Sequence, residues 1–413
     1  MAATVLAEAG KCVRLFDAMP SPGCKFLVAG RGGLNLTHSE PIPDFISRYG
    51  AWSPLFERFI QKFSPDDLRT FCNRLGIETS IGSSRRVFPS KVSAGTFLDL
   101  WMRHLTDLNV VFCPRHRWLC FTQAGAVHFS SLGEYHKDVA QISCAAVLLA
   151  LGGASWPKTG SDGHWAERLK EHGIQVNAFK PANCGFTVAW SSRFVERHQG
   201  SPLKNIAINF AAKRVMGELL ITAYGLEGGG IYTLGPLLRE AIERDARACL
   251  SIDLKPDLSV DTIIRRLSEP RAGHTLSSIL RSRLHLSSSA AGLLRERLSA
   301  ETLNDHSRLA SAIKSLDVEL LAPRPLDEAI SSAGGIDMSE IDETLMLKKL
   351  PGVFVAGEML GWEAPTGGYL LQGAFTTGYV AAKGILERVD GFSTGTLEPR
   401  PLIVAPQQYW DAL

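Results

Sequence analysis

The stretch Val353–Glu358, VFVAGE, gives the strongest local indication of the fold, and Thr366–Tyr369, TGGY, follows it. A short apolar run of this kind is typical of a strand buried on both faces of a parallel sheet. A carboxylate directly after such a strand can bind the hydroxyls of a sugar chain. A helix predicted from about Leu371 to Arg388 would point its N-terminal amides at an anionic ligand. A purely structural Gly-Glu turn explains the stretch equally well when it is taken alone.

A second apolar run, Cys144–Leu151, ends in Gly152–Gly153 and precedes a helix expected at about 163–173. The run predicts another buried strand, after which small residues let the chain pass beside a ligand at the carboxyl edge of the sheet. An ordinary turn from strand to loop is the simpler interpretation of this run by itself.

The N-terminal residues have the order of the later part of a dinucleotide-binding unit. Residues 1–10 predict a helix, Lys11–Phe16 predict a strand, and Asp17 ends that strand. In such a unit the acid binds ribose hydroxyls and follows a glycine fingerprint by about 20 residues. Because Asp17 is the seventeenth residue, those glycines would fall before Met1. An aspartate that merely ends an ordinary strand is the better explanation of this feature alone.

A glycine-rich stretch, GCKFLVAGRGGLN, occupies Gly23–Asn35. Clustered glycines allow a backbone to approach a planar or phosphorylated ligand closely. Lys25 and Arg31 would offset the charge of phosphate groups. A flexible surface loop is an equally good interpretation of the same residues.

The composition of the chain argues against several classes of binding partner. The chain has 413 residues and a formal net charge of +2, so we expect two or three domains and no global field that attracts nucleic acid or an anionic membrane. The longest apolar run is about half of the roughly 20 residues that span a bilayer. The eight cysteines are scattered and form no Cys-x-x-Cys pair, so we expect no disulfide framework and no zinc site. These features predict a cytoplasmic protein that acts on a small molecule.

The middle of the chain differs in character from its ends. Residues 55–76 and 94–108 predict helices, residues 180–255 predict short strands separated by turns, and residues 259–320 have helical periodicity. Thr222, Tyr224 and Gly228–Gly230 are candidates for lining a substrate pocket between domains, and a β-turn is an equally good interpretation of them. The pattern indicates a nucleotide-binding α/β fold with an insertion.

Five stretches, taken together and in this order, resemble the HI0933-like flavoprotein family, also called BaiN-like or aminoacetone-oxidase-like. They are Lys25–Thr37 (KFLVAGRGGLNLT), Arg86–Pro89 (RVFP), Leu151–Gly163 (LGGASWPKTGSDG), Gly217–Tyr224 (GELLITAY) and Gly357–Ala374 (GEMLGWEAPTGGYLLQGA). They are distributed over nearly the whole chain, which makes the joint match more specific than any single stretch.

The resemblance implies a glutathione-reductase-type, Rossmann-like FAD-binding domain of the α/β class. An inserted β-barrel-like domain and a small helical subdomain would interrupt it. The expected boundaries are 1–180 for the first part of the FAD-binding domain, 181–257 for the β-rich insert, 258–323 for the helical subdomain, 324–340 for the return through the insert, and 341–413 for the second part.

The resemblance also implies which residues would contact FAD. Asp17 would bind the adenosine ribose, and Glu358, which follows Gly357, would hold the ribityl or pyrophosphate region. The flavin and the pyrophosphate would be lined by Lys25, Arg31, Gly32, Gly33 and Asn35, and Gly152 and Gly153 would pass near the cofactor. The residues that would face the isoalloxazine ring are Gly367, Gly368, Leu371 and Gln372.

Three departures from the family pattern bear on these expectations. The usual first strand and its Gly-x-Gly-x-x-Gly turn are absent, from which we expect weak or absent FAD binding by this chain. The usual Gly-Gly-Arg-Cys-Asn is here Arg31-Gly32-Gly33-Leu34-Asn35, so the arginine is displaced and the thiol is lost. Gly361 stands where an aspartate is common, which puts the contacts of that loop in doubt.

The expected reaction is hydride transfer to or from an organic substrate, with NAD(P)H or oxygen as the second redox partner. No acid–base residue stands out; the candidates by position, each better explained as structural, are His164, His172, Cys184, Tyr224 and Tyr369. Two alternatives remain open at this stage, a non-catalytic nucleotide-binding protein and a dehydrogenase that uses NAD(P) alone.

Overall fold

The chain folds into two compact units in a computed structural model that describes residues 1–30, 32–122, 126–131, 139–269 and 275–392. Unit 1 consists of Met1–Lys180 and Ile330–Leu413, and unit 2 consists of Pro181–Ala329. Unit 2 is therefore an insertion in the sequence of unit 1.

The first part of unit 1 alternates short strands and helices. Its helices are α1 Ala2–Glu8, α2 Cys24–Ala29, α3 Ile42–Ser47, α4 Ser53–Lys62, α5 Pro65–Arg74, α6 Ala94–Asp107 and α7 Trp165–Glu171. Its strands are β1 Arg14–Phe16, β2 Thr37–His38, β3 Thr79–Ile81, β4 Arg86–Pro89, β5 Val111–Cys113, β6 His116–Phe121, β7 Val127–Ser131, β8 Val139–Ile142, β9 Val147–Leu149 and β10 Val176–Ala182, the last of which reaches into unit 2.

Unit 2 and the returning part of unit 1 complete the chain. The strands of unit 2 are β11 Phe186–Thr187, β12 Pro202–Phe210, β13 Lys213–Ile221, β14 Gly225–Glu227, β15 Ala248–Asp253 and β16 Leu316–Leu320. Its helices are α8 Ser192–His198, α9 Gly229–Asp245, α10 Val260–Ser268, α11 Leu276–Leu284, α12 Ser288–Arg297, α13 Ala300–Asn304 and α14 His306–Lys314. Unit 1 resumes with β17 Ser331–Ile336, β18 Val353–Val355 and α15 Tyr369–Phe392.

Two parallel strand pairs form the Rossmann-like part of unit 1. β1 pairs with β5, and β9 pairs with β18 with Val147 opposite Val353. The predicted strands at the two apolar runs are thus confirmed as neighbours. β18 is buried throughout as expected, whereas in β9 only Leu149 is buried and Val147 and Leu148 are half-buried. Unit 1 also contains the antiparallel sheets β6-β7-β8 and β2-β4-β3 and the pair β10-β17.

Helix α15 lies at the centre of unit 1, where α1, α4, β2 and β18 contact it. Its predicted position is confirmed, and Phe375, Val380 and Ala381 are buried in the core. Helix α4 contributes Phe56, whose ring stacks on Tyr49 at 3.7 Å between centroids. Removing a large aromatic side chain from such a core costs about 3–5 kcal/mol.

The single helix expected over residues 55–76 is wrong in its continuity, because α4 ends at Lys62 and α5 begins at Pro65. Proline is favoured in the first turn of a helix and cannot continue the preceding one. Ser64 forms a capping box with Asp67, in which each side chain accepts the other residue's backbone N–H. The sequence Ser64–Asp67, Ser-Pro-Asp-Asp, therefore accounts for the break between α4 and α5.

Unit 2 contains one antiparallel sheet, ordered β11-β14-β13-β12-β15-β16, and its helices share one hydrophobic core with that sheet. The expectation of only strands and turns over residues 180–255 is wrong at α9, a helix of 17 residues. Its glycines suggested a turn, but a Cβ at Gly230 would lie 2.1 Å from Ile208 Cδ1, so glycine lets the helix approach the sheet. Ser and Thr residues between the later helices serve as N-caps, for example Ser259 and Thr275.

Within the described ranges, no helix is long and apolar enough to cross a membrane. The same part of the chain holds no group of three or more His, Cys, Asp or Glu side chains that could bind a metal ion.

Candidate functional site

The carboxyl ends of β9 and β18 meet at one edge, because the two strands are parallel. Gly152–Gly153 follows β9, and Gly357–Glu358 follows β18. Gly152 and Gly357 both have positive φ, 77° and 72°, which favours glycine. A Cβ at Gly153 would lie 1.8 Å from Ser332 Oγ, so this glycine permits the close approach of β17.

Lys25 joins the glycine-rich stretch to this edge. The stretch is not a loop throughout, since Cys24–Ala29 forms α2. The Lys25 ammonium donates to Ser155 Oγ at 3.0 Å, to Ser161 Oγ at 3.1 Å and to Glu358 Oε2 at 2.5 Å. An ammonium has three N–H donors, so every donor of Lys25 has a protein partner.

Glu358 is equally saturated. Its Oε1 accepts the backbone N–H of Ser332 at 2.8 Å and the Ser332 hydroxyl at 3.3 Å. Its Oε2 accepts Lys25 and, at 3.4 Å, the N–H of Gly153. A carboxylate offers about four acceptor positions. In this arrangement each oxygen of Glu358 has two protein partners, and Glu358 holds the segments around it together.

The glycine-rich stretch passes over β4. Gly33, with φ 105°, lies against the ring of Phe88, and a Cβ at Gly32 would meet no atom within 4 Å. The Oδ1 atom of Asn35 is buried without a hydrogen-bond partner among the described residues. Arg31, predicted to offset phosphate charge, lies outside the described residues.

Gly367 and Gly368 precede α15 with φ values of 113° and 105°. A Cβ at Gly368 would lie 2.6 Å from Thr37 Cα, so β2 contacts the helix start directly. Leu371 packs against the core formed by α5 and α6. Gln372 is fully buried and donates to Phe63 O at 3.3 Å, while its Oε1 has no partner within the described part of the chain.

A network of charged and aromatic groups fixes the first residue of α15. The Tyr369 hydroxyl donates to Glu40 Oε1 at 2.6 Å, and Arg48 donates to both oxygens of Glu40. Burial raises the pKa of Glu40, but hydrogen bonds from Arg48 and Tyr369 outweigh burial and bring the pKa below its ordinary value. Burial and the bond to Glu40 raise the pKa of Tyr369, so its hydroxyl stays protonated.

His38 stacks on Tyr369 with ring centroids 5.3 Å apart. Its Nδ1 accepts the N–H of Glu40 at 3.2 Å, so Nε2 carries the proton and donates to Ser84 O at 3.0 Å. Burial lowers the pKa of His38, as do the charges of Arg48 and Arg86. These contacts favour the neutral ring.

Asp17 follows β1, and its Oδ1 accepts the N–H of Met19 at 2.8 Å. Its second oxygen has no hydrogen-bond partner in the ranges that the structure describes. Burial raises the pKa of Asp17, and the bond from Met19 opposes that rise. A half-buried carboxylate with one free oxygen can accept a hydroxyl.

The other acid–base candidates each have protein surroundings of their own. His164 is 82% exposed and lies 3.4 Å from Asp162, and His172 packs its ring against Phe121. Cys184 is buried in the core of unit 2, and the Tyr224 hydroxyl donates to Glu227 in the same unit. Thr222 Oγ1 accepts the N–H of Gly225, a turn contact, and Gly228 caps α9.

The residues present fit a flavin nucleotide at some positions and not at others. Open space at Gly32, the unpartnered Asn35 Oδ1 and the free oxygen of Asp17 are features that a ligand with hydroxyl and N–H groups would satisfy. Lys25 and Glu358 are already satisfied by the protein.

The model of the HI0933-like protein Rossmann domain matches residues 1–384. The chain belongs to the HI0933-like family. It is therefore a flavoprotein with a mixed α/β, Rossmann-like FAD-binding fold, as the sequence predicted, and family membership supports its class as an FAD-dependent oxidoreductase.

Curated relatives match this chain over most of its length. Ribosomal RNA dihydrouridine synthase of Escherichia coli is 23% identical over 393 residues, which cover 92% of this chain and 93% of that protein. The 3-dehydro-bile acid delta(4,6)-reductase of Clostridium scindens is 23% identical over 397 residues, which cover 91% and 93%.

Solved structures with the same fold include quinol fumarate reductase of E. coli, with a TM-score of 0.51 and 14% identity over 97% of this chain and 70% of that chain. The 3-ketosteroid delta1-dehydrogenase of Sterolibacterium denitrificans has a TM-score of 0.51 and 11% identity over 93% and 96% of the two chains. At these identities the likeness concerns the fold alone.

Sequence reasoning missed three contributors to the site. Ser332 follows unit 2 in the sequence and belongs to no quoted stretch, and Ser155 and Ser161 stood in the Leu151–Gly163 stretch but were given no role. Arg86 stood in the RVFP stretch and was likewise given no role. The signals that pointed to this edge were the acids and glycines that follow predicted strands, together with the glycine-rich stretch that contains Lys25.

Proposed function

We propose that this protein transfers hydride between FAD and a small organic substrate, with NAD(P)H or oxygen as the second redox partner. The bond between Lys25 and Glu358 carries the proposal, because it joins the glycine-rich stretch to the carboxyl edge of β9 and β18. In open α/β sheets, ligands bind outside that edge. FAD, when bound, supplies the redox-active ring.

We propose that different described residues contact different parts of FAD. Asp17 would accept a ribose hydroxyl with its free oxygen, and Gly32, Gly33 and Asn35 would lie along the ring or the pyrophosphate. Gly152 and Gly153 let the chain pass close to the cofactor. Lys25 and Glu358 hold the glycine-rich stretch and the segment after β18 together.

Gly357, Gly367 and Gly368 allow the turns that bring the start of α15 to the same edge. Leu371 and Gln372 support that turn from inside the core, since Gln372 is fully buried. Arg31 is the second predicted cation of the glycine-rich stretch, and we propose it as a phosphate contact.

The names of the two curated relatives favour one type of reaction. One is named for forming dihydrouridine and the other as a delta(4,6)-reductase, and both names describe addition of hydrogen to a carbon–carbon double bond. We therefore propose a small molecule with a reducible double bond as the substrate class for this chain. Its reduction consumes the hydride of reduced FAD, so NAD(P)H rather than oxygen would be the second redox partner in that reaction.

A second candidate function is non-catalytic nucleotide binding. The saturation of Lys25 and Glu358 favours it, because two residues expected to contact the cofactor are bonded to protein groups instead. The two functions differ in whether bound flavin exchanges electrons.

The test is to purify the chain, add FAD, remove the excess and record absorbance near 450 nm before and after anaerobic addition of NADPH or NADH. The oxidoreductase proposal expects the flavin that the chain retains to bleach with the nicotinamide and to recover its colour with oxygen or with an electron-accepting alkene. Bound flavin that neither NADPH nor NADH reduces, and that after reduction by dithionite passes electrons to the alkene no faster than free flavin does, would support the non-catalytic function.

A further inference from the structure

Among the described residues, Arg86 is a cation beside the start of α15 for which the protein supplies no partner. It begins β4, where it pairs with His38 of β2. Within the described residues its guanidinium makes no hydrogen bond and no ion pair. Its neighbour Arg85 is also unpaired, but Arg85 is exposed to water, whereas Arg86 is partly buried. Partly buried charges usually have a partner, so the unpaired state of Arg86 calls for a ligand.

Glu40, the carboxylate that could pair with Arg86, already has other partners. Glu40 lies beside His38 and is 7% exposed, and its two oxygens are bonded to Arg48 and Tyr369. His38 adds no negative charge, because its contacts favour the neutral ring. Among these neighbours the charges of Glu40 and Arg48 offset each other, so none of them compensates the charge of Arg86.

The guanidinium faces the start of α15. A Cβ at Gly367 would lie 3.5 Å from Arg86 Nε, so the absence of a side chain there leaves the group uncovered. The first amides of a helix have no partner within the helix, and α15 has 24 residues, which gives its N-terminal end positive character. Arg86 and this helix end are thus two sources of positive charge at one place.

We propose that Arg86 binds an anionic oxygen at the start of α15, an assignment that rests on the proposed FAD-dependent function. The oxygen comes either from the substrate, as a carboxylate or as the carbonyl oxygen that gains charge on hydride addition, or from the pyrimidine edge of the reduced flavin. A planar guanidinium with fixed N–H donors suits either source.

The experiment compares Arg86→Met and Arg86→Lys with Arg85→Met, the matched control that removes an exposed charge from the adjacent position. The cofactor-free chain is titrated with acetate at constant ionic strength, and binding is followed by thermal shift. We expect Arg86→Met to raise the half-saturating acetate concentration roughly tenfold or more, since bonds to charged groups are worth about that factor. Arg86→Lys should recover part of the affinity, and Arg85→Met should match the wild type.

Repeating the titration after FAD loading separates the two sources. Acetate binding that persists in the loaded protein assigns Arg86 to the substrate. Acetate binding that FAD abolishes, together with weaker FAD binding by Arg86→Met, assigns it to the flavin. Equal behaviour of Arg86→Met and Arg85→Met toward both acetate and FAD overturns the proposal. A chain that never loads FAD contradicts the proposed function but leaves the acetate result of the cofactor-free chain intact.

Discussion

Lys25 and Glu358 are 333 residues apart in sequence, and their side chains form an ion pair of 2.5 Å in unit 1. Both groups are partly shielded from solvent, at 28% and 19% exposure, and each is saturated with further hydrogen bonds. Removing one partner of such a pair leaves the other charge unsatisfied.

We therefore expect Lys25→Met and Glu358→Gln each to lower the free energy of unfolding of unit 1 by about 1–3 kcal/mol. The double variant should lose less than the sum, with a coupling energy of about 0.5–3 kcal/mol. Urea unfolding followed by tryptophan fluorescence measures both quantities. Lys62→Met, at the exposed end of α4, is the control, and fully additive losses would contradict a direct pair.

Gly32 offers a separate test of where FAD lies. A Cβ at this position meets no atom within 4 Å, so we expect Gly32→Leu to fold with nearly unchanged stability. If the glycine-rich stretch lies against the cofactor, the added side chain should abolish retention of FAD, measured by absorbance after gel filtration. Gly217→Leu, also in open space but in unit 2, should retain FAD. Normal FAD content in Gly32→Leu would place the cofactor elsewhere.

Glu40 should make stability depend on pH in the acidic range. Its pKa in the folded protein lies below the ordinary 4.5, so its contribution is fully present above that value and is lost as the pH falls through the folded pKa. Glu40→Gln should therefore cost about 1–3 kcal/mol at neutral pH, and the cost should shrink as the pH is lowered below 4.5. Unfolding by urea at a series of pH values from neutral downwards checks this, with the exposed Glu57→Gln as the control. A constant difference between wild type and Glu40→Gln across the range would refute the titration argument.

Ser64 should stabilise the break between α4 and α5. Its hydroxyl accepts the N–H of Asp67 at 3.2 Å, and Asp67 in turn accepts the N–H of Ser64. We expect Ser64→Ala to lower the free energy of unfolding by about 1 kcal/mol. Ser84→Ala, on an exposed turn, should change it by less than about 0.5 kcal/mol. A loss no larger than that of the control would mean that Pro65 alone sets the helix start.

The parts of the fold that the sequence predicted are those with a one-dimensional signal. Val147–Leu149 and Val353–Val355 are apolar runs, and α15 has the length and composition of a buried helix. Helix α9 was missed because Gly228–Gly230 resembles a turn until the close approach to Ile208 is known. Local pattern cannot report such a tertiary contact.

The residues of the candidate site also differ in whether a local sequence pattern predicts them. Asp17, Gly153 and Glu358 could be singled out because each follows a strand. The partners of Glu358 could not, because Ser332 belongs to a strand that the chain reaches only after unit 2. The lack of a partner at Arg86 is likewise a property of the assembled site, since it depends on Arg48 and Tyr369 having engaged Glu40.

The pairing of β10 with β17 has a consequence for the evolution of this protein. The chain departs from unit 1 along one of these strands and comes back along the other, so unit 1 itself keeps the exit and the entry side by side. An insertion between two adjacent strands can be lengthened, shortened or exchanged for another domain while β9, β18 and α15 keep their register. New specificities can then evolve while unit 1 is retained. We expect sequence diversity among relatives to concentrate where the insertion joins β10 and β17 rather than in unit 1.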